Sequence, residues 1–420
     1  MKSVRNFVSL GLVVIINLSL QFLFQWYIIT SLGVNKKTDA LFGAIALPQF
    51  ILLVLSGSLT MVLIPQLARY ENDKFLKESW NYFQAVGILF ISIALLLYLT
   101  DQWWVILVLP GFKGINYYLT LDLVRIQLIA MVFSSLLSVL WAIHSAKGNF
   151  YKIEYTSIIA NLIIFVVIIV LMKVIDVYVV AWINVLRVAL QMFFLIKIMG
   201  PYCKPDFTSI SFKNTWKNLK PLIAGNMLYK TDVLIDRHLT SNGIAGELTL
   251  FNLAQQLYAY ANSIFIKVLV NTMVPEMAKA NEEGNERRFN KIYKQRLLLS
   301  FIFSGICYLI IIFFGQWVLD FVFNLKKITA VDVHQLWWLL VLLGGYLIFG
   351  LLGYVTSGAF YAKSNTITPT KIGVILFIFY APLKVYSYVK FGIVGLAICG
   401  SVNCFINFIV KFYFLRKNLW

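Results

Sequence analysis

Apolar residues run along this chain in blocks of about 20, separated by short polar stretches, and within the blocks they are continuous rather than alternating. A hydrocarbon core about 30 Å thick asks a helix for about 20 apolar residues, so each block reads as a membrane-spanning helix. Twelve spans are predicted, at about 7–30, 41–64, 80–100, 121–144, 154–174, 177–198, 221–241, 248–273, 296–319, 334–360, 368–389 and 391–414. Transmembrane β-strands are excluded, because their lipid-facing and lumen-facing positions would alternate. The first run is too long for the apolar region of a cleavable signal peptide and continues into the fold. Loops are short throughout. The longest outer connection is about 101–120 and the longest inner ones are about 199–220 and 274–295. The inner two are basic and read as helices lying at the interface, with Trp216, Phe289 and Tyr293 on their apolar side.

The pattern repeats. "LTSNG" at 239–243 echoes "ITSLG" at 29–33, and the same offset of 210 aligns "TMVPEMAKANEE" at 272–283 with "VLIPQLARYEND" at 62–73. "AKSN" at 362–365 follows "AKGN" at 146–149 at an offset of 216. The repeat divides the chain into an N-terminal half, 1–198, a connector, 199–220, and a C-terminal half, 221–420. Six spans per half is an even number, so both halves enter the membrane from the same side. The predicted fold is therefore all-α and polytopic: two parallel six-helix bundles around a central cavity, with a substrate path between repeats.

Charge sets the orientation. With the N-terminus inside, the inner segments and the span ends adjoining them hold 23 Lys/Arg and the outer loops with theirs 8, which predicts cytoplasmic termini under the positive-inside rule. That bias, and attraction to anionic lipid, accounts for the formal charge of +18 without a nucleic-acid partner. The four cysteines have no CxxC spacing, and His144, His238 and His334 have no metal-ligand spacing. No GxxxxGK[ST] or HExxH is present, so neither a nucleotide-driven pump nor a zinc protease is indicated. A membrane polymerase or ligase of lipid-linked sugars would want a large outer loop bearing carboxylates, and none exists. No cofactor is expected beyond a coupling ion, H+ or Na+.

Against 13% charged residues overall, "GNMLYKTDVLIDRHLTSNG" at 225–243 carries five ionisable groups. A charge at the bilayer centre costs at least about 2.5–3.5 kcal/mol, so such groups face a cavity or a partner helix. If the seventh span starts near Pro221, Lys230 lies about 13 Å into it. Lys230 and Arg237, seven apart, share one helical face; Asp232 and Asp236, four apart, share another. The alternative is a later start, with Arg237 and His238 marking the outer end. The other cations within spans are Arg125, which either snorkels or lines a cavity, Arg187, which is deeper and serves an ion pair or a site, and Lys267 in mid-span. Asp39 is either a coupling group or a cap of the second span. Pro48 predicts a kink suited to gating.

Several stretches carry a resemblance. "KKTDALFGAIALPQF" followed by "LIPQLARY", the run from Leu109 to Leu162 with Pro110–Phe112, Arg125–Ile126 and Asn161, and "DVLIDRHLTSNGIAGELTLFNLAQQLY" with "TMVPEMAK" resemble the lipid II flippase family. The likeness covers most of 1–285. Its superfamily also holds polysaccharide flippases and multidrug exporters. Lipid II flippases carry arginines in the first span, after the Leu-Pro of the second, and in the eighth; the matching "LSLQFLFQW", "LPQFILL" and "NLAQQLY" have none. Those flippases usually have fourteen spans, whereas twelve is the polysaccharide-flippase number. The resemblance with these departures implies a polysaccharide-type flippase, not an enzyme. It would move an undecaprenyl-pyrophosphate-linked oligosaccharide across a bacterial inner membrane by alternating access, alongside polysaccharide polymerase machinery. Lys230, Arg237, Lys267, Arg187 and Arg125 would hold the pyrophosphate, and Asp39, Asp232 and Asp236 would serve coupling or as counter-ions. An ion-coupled drug antiporter of the same superfamily is the alternative, with Asp39 or Asp236 outweighing the cations.

Overall fold

A computed structural model describes residues 2–70, 72–171, 175–323, 327–363 and 365–417. Within these, the side chains of 2–10, 60–61, 72, 210–211, 214, 218, 221–222, 224–226, 229, 267–268 and 271 lie outside the description. The described residues contain no strand, as expected where lipid leaves each backbone polar group to be satisfied inside its own helix.

Sixteen α-helices follow in order: α1 (Lys2–Leu32), α2 (Lys36–Ala44), α3 (Ala46–Leu67), α4 (Asn72–Leu99), α5 (Asp101–Val108), α6 (Ile115–Ala146), α7 (Phe150–Val170), α8 (Val177–Leu195), α9 (Ile210–Lys230), α10 (Asp232–Thr240), α11 (Glu247–Phe265), α12 (Asn271–Glu282), α13 (Glu286–Phe323), α14 (Ala330–Leu342), α15 (Gly344–Ala362) and α16 (Ile367–Lys417). α2 with α3, α9 with α10, α11 with α12 and α14 with α15 each form one interrupted rod, and α16 is two helices joined at Gly392. Gly392 has φ +60° and ψ −146°, open to glycine and strained for other residues. The twelve predicted spans therefore fall on helical rods, with 172–174 of the fifth lying outside the described residues. Among the described residues, nine helical stretches are long and apolar enough, by length and composition, to cross a membrane.

By packing, the chain divides into unit 1, Met1–Asn242, and unit 2, Gly243–Trp420. The seventh rod, α9 and α10, thus falls in unit 1, later than the 199–220 connector at which the repeat divides the sequence. In unit 1, α6 is the central rod and packs on α2, α3, α4 and α8. Its Leu123, Val124, Val139, Leu140 and Ile143 are fully buried. α1 lies on α7, and α9 lies on α3. In unit 2, α15 is central, packed on α12, α13 and α16 through Leu351, Val355 and Ala359.

Two expectations are corrected. The basic inner connections are not separate interfacial helices. Ser209 caps α9, its Oγ accepting from the Phe212 amide at 3.2 Å, so the second half of the 199–220 connector is the first turns of the seventh rod. Between α12 and α13 only Glu283–Asn285 turn, with Asn285 Oδ1 accepting from the Arg288 amide at 3.0 Å; the basic residues lengthen two rods. Phe289 and Tyr293 do lie on an apolar side, buried in unit 2.

Candidate functional site

The charged stretch of the seventh rod straddles a bend. α9 ends at Lys230, and the Thr231 hydroxyl donates back to the Met227 carbonyl at 2.6 Å, a local bond that bends helices. α10 then carries Asp232, half-buried, and Asp236 and Arg237, only 2% and 4% exposed. Lys230 is half-buried and His238 exposed. α10 packs on α3 and α5. His238 Nδ1 donates to the Leu107 carbonyl at 2.9 Å, and the Gly111 amide donates to Ser241 Oγ at 3.3 Å. Gly111 is required here: a Cβ on it would stand 1.9 Å from the Ser241 carbonyl oxygen. The Pro-Gly-Phe turn is thus a backbone clamp on the end of α10.

On α3, Pro48 lies in the first turn, where a missing N–H is tolerated. The rod breaks three residues earlier, at Ile45, and the Gln49 amide closes the new turn onto the Ile45 carbonyl at 2.9 Å. Asp39 is buried at 4% exposure in α2. It is not the cap. Asn35 is, its Oδ1 accepting from the Lys37 and Thr38 amides at 2.9 and 3.2 Å while Thr38 closes the reciprocal bond.

Arg125 is drawn into a carboxylate pair. Its Nε donates to Asp101 Oδ2 at 2.8 Å, its Nη1 lies 3.6 Å from Asp122 Oδ1, and Tyr178 donates to the other Asp122 oxygen at 3.1 Å. Arg187 donates to Asn184 Oδ1 at 3.1 Å, and Asn184 in turn donates to Gln127 Oε1 at 3.0 Å, a chain that ties α8 to α6. Lys267 falls in a π-helical turn, Ile266–Val270, and its side chain lies outside the described residues.

Three polar features escape the sequence reading. Asn17 of α1 is the hub of a network with α7. Its Nδ2 donates to Glu154 Oε2 at 2.8 Å, and its Oδ1 accepts from Asn161 Nδ2 at 2.9 Å and Ser157 Oγ at 3.0 Å. Lys384 of α16 is a further cation inside a predicted span, 1% exposed, with Nζ 5.2 Å from the Tyr380 ring centre. One turn further, Tyr388 donates to Glu247 Oε1 at 2.9 Å, whose other oxygen accepts from the Ile244 amide at 3.2 Å. Tyr380, Lys384 and Tyr388 recur every four residues, a stripe visible in the sequence within the predicted span 368–389. Among the described residues no three His, Cys, Asp or Glu groups stand close enough to hold a metal.

The rods thus carry cations and amides in their interior. Comparison with known proteins places the chain in a family. The family model of the lipid II flippase MurJ matches residues 28–420. A probable lipid II flippase MurJ of Buchnera aphidicola subsp. Baizongia pistaciae is 23% identical, over 100% of this chain and 86% of the relative. The lipid II flippase MurJ of Burkholderia cenocepacia is 22% identical, over 92% and 78%. Among solved structures, an inward closed lipid II flippase MurJ superposes with a TM-score of 0.84 at 18% identity, covering 97% of this chain and 87% of that one. An inward-facing multidrug resistance MATE transporter of the MOP superfamily gives 0.75 at 16% identity, covering 96% and 94%. The fold is common to flippases and drug exporters; the family match separates them. It narrows the expectation of a polysaccharide-type flippase of lipid-linked oligosaccharides, which rested on the missing arginines and the count of spans, to the lipid II flippase family.

Proposed function

This chain belongs to the lipid II flippase MurJ family, and we propose that it moves lipid II, the lipid-linked peptidoglycan precursor, across the bacterial inner membrane by alternating access. It is a multi-pass membrane transporter of the flippase type, not an enzyme. The observation that carries the substrate reading is the pair of cations on the seventh rod, half-buried Lys230 and buried Arg237, in a chain matched to the family over 28–420. A pyrophosphate needs charge-assisted donors in a site with little water. Where the resemblance leads one to expect arginines, "LSLQFLFQW", "LPQFILL" and "NLAQQLY" offer glutamines. The anionic head group therefore falls to Lys230 and Arg237, with Arg187 contributing, and the glutamines of the first two spans supply neutral hydrogen bonds to sugar. Asp39, Asp232 and Asp236 serve as counter-ions or as the site of a coupling H+ or Na+, and the break before Pro48 serves as a hinge. Both termini face the cytoplasm, a placement supported by the Lys/Arg asymmetry. Enzymes that polymerise the translocated precursor are the expected partners.

The test is replacement. In a strain depleted of its own lipid II flippase, this chain should restore growth and expose lipid II to an externally added enzyme that degrades the precursor. If it instead confers dye efflux without exposing lipid II, the antiporter reading replaces this one.

A further inference from the structure

On unit 2 a groove of about 650 Å³ opens between the start of α13, the end of α16 and the middle of α15. Its wall is apolar: Leu298, Phe301, Phe349, Phe408 and Phe412 line it. The rings form a ladder, with centroids of Phe349 and Phe408 6.4 Å apart and those of Phe408 and Phe412 5.9 Å apart. Leu298 and Phe301 are 59% and 51% exposed. At one end the lining changes to Lys294 and Arg416. Neighbouring cations are neutralised, Arg288 by Glu283 at 2.8 Å and Arg296 by Glu276 at 3.4 Å. Lys294 and Arg416 enter no ion pair among the described residues. The groove is therefore amphipathic along its length, cationic at the rim and aromatic within.

We infer that this groove binds a phospholipid with an anionic head group, one acyl chain lying against the phenylalanine ladder and the head group against Lys294 and Arg416. Charge complementarity selects the sign, because the ammonium of a zwitterionic head group offsets much of what its phosphate gains from the two cations, whereas an anionic head group keeps its net charge beside them. Length selects a phospholipid over a polyprenyl chain. From Lys294 to Phe301 is about 10 Å of helix, and from Phe408 to Arg416 about 12 Å. That is the depth of roughly one leaflet of a core about 30 Å thick. The proposal rests on unit 2 alone and does not depend on which precursor the protein transports.

The probes are phosphatidylglycerol and phosphatidylcholine with identical acyl chains, titrated onto the delipidated full chain in detergent and read by native mass spectrometry. A basic residue near the surface contributes about fivefold in affinity for anionic lipid. Wild type is expected to prefer phosphatidylglycerol by roughly 25-fold. The surface double variant Lys294→Gln/Arg416→Gln should lose that preference and keep its affinity for phosphatidylcholine. A benzoylphenylalanine photoprobe at Leu298 should crosslink phosphatidylglycerol, and excess unlabelled phosphatidylglycerol should suppress the product. Equal binding of the two lipids by wild type, or a preference that survives the double variant, would overturn the inference. So would displacement of the crosslink by equimolar undecaprenyl pyrophosphate, which would make the groove a substrate port.

Discussion

Removing Arg125 separates a cation that holds the fold from one that holds substrate. Its Nε lies 2.8 Å from Asp101 Oδ2, and Asp101 is 3% exposed, whereas the Arg125 side chain is 40% exposed. At that distance two unit charges attract by about 6 kcal/mol at an effective dielectric constant of 20, and by about 1.5 kcal/mol in water. The exposed guanidinium pulls the pair toward the lower figure, and a hydrogen bond to a charged group contributes about 1.5–3 kcal/mol. Asp101 also occupies the first turn of α5, where the helix dipole offsets up to about 1 kcal/mol of its orphaned charge. Arg125→Ala should thus destabilise unit 1 by about 2 kcal/mol, or roughly 4–8 °C in melting temperature for a unit of this size. Adding Asp101→Asn should recover part of the loss, because it removes the uncompensated charge; the double-mutant cycle isolates that coupling. Thermal unfolding of purified protein, read beside transport per folded molecule, is the assay. Arg125→Ala that melts like wild type but no longer transports would refute the structural assignment and return Arg125 to the substrate path.

Lys230→Ala should insert normally yet slow transport roughly ten- to more than a hundredfold, the loss of one charge-assisted contact of about 1.5–3 kcal/mol, with Lys230→Arg retaining part of the activity; outer-face exposure of lipid II reads both. Asn17→Leu removes three bonds between α1 and α7 and should cost about 2 kcal/mol at about 0.6 kcal/mol per interhelical bond, visible as a lowered melting temperature. Gly111→Ala must push the Ser241 carbonyl aside and should destabilise strongly, whereas Gly353→Ala, with no atom within 4 Å of the new Cβ, should be neutral. In the connector, the Thr208 hydroxyl at 2.7 Å, its amide at 3.2 Å and Lys77 at 3.7 Å hold the Asp206 carboxyl below the usual carboxylate range. A depressed folded-state pKa means that these contacts persist above the ordinary Asp pKa and weaken as pH falls through the lower one. Limited proteolysis around 200–209 should therefore accelerate only in strong acid.

The bilayer explains why so much of the fold is legible in the sequence. Each span has to hide its own backbone, so twelve apolar blocks coincide with helical rods without knowledge of any contact. Pro48 announces a break as well, displaced to Ile45 because proline removes the bond that would reach back toward the preceding turn. What stays illegible is the identity of partners. A charge in lipid declares its cost, and the sequence of "LDLVRIQL" declares that cost for Arg125, but its compensating Asp101 lies 24 residues away, across a turn that only packing closes. Asn17 makes the converse case. Glu154, Ser157 and Asn161 recur at helical spacing on one face of α7, a polar stripe readable in advance, and a stripe of that kind in lipid demands a partner. The sequence holds no local clue that the partner is α1, whose Asn17 meets all three. The same reasoning ranks the charges of the seventh rod. Arg237 is nearly inaccessible, whereas Lys230 is half-buried. A group that must meet a passing anion and release it needs such partial access, so of the two cations Lys230 is the one whose removal should affect transport before stability.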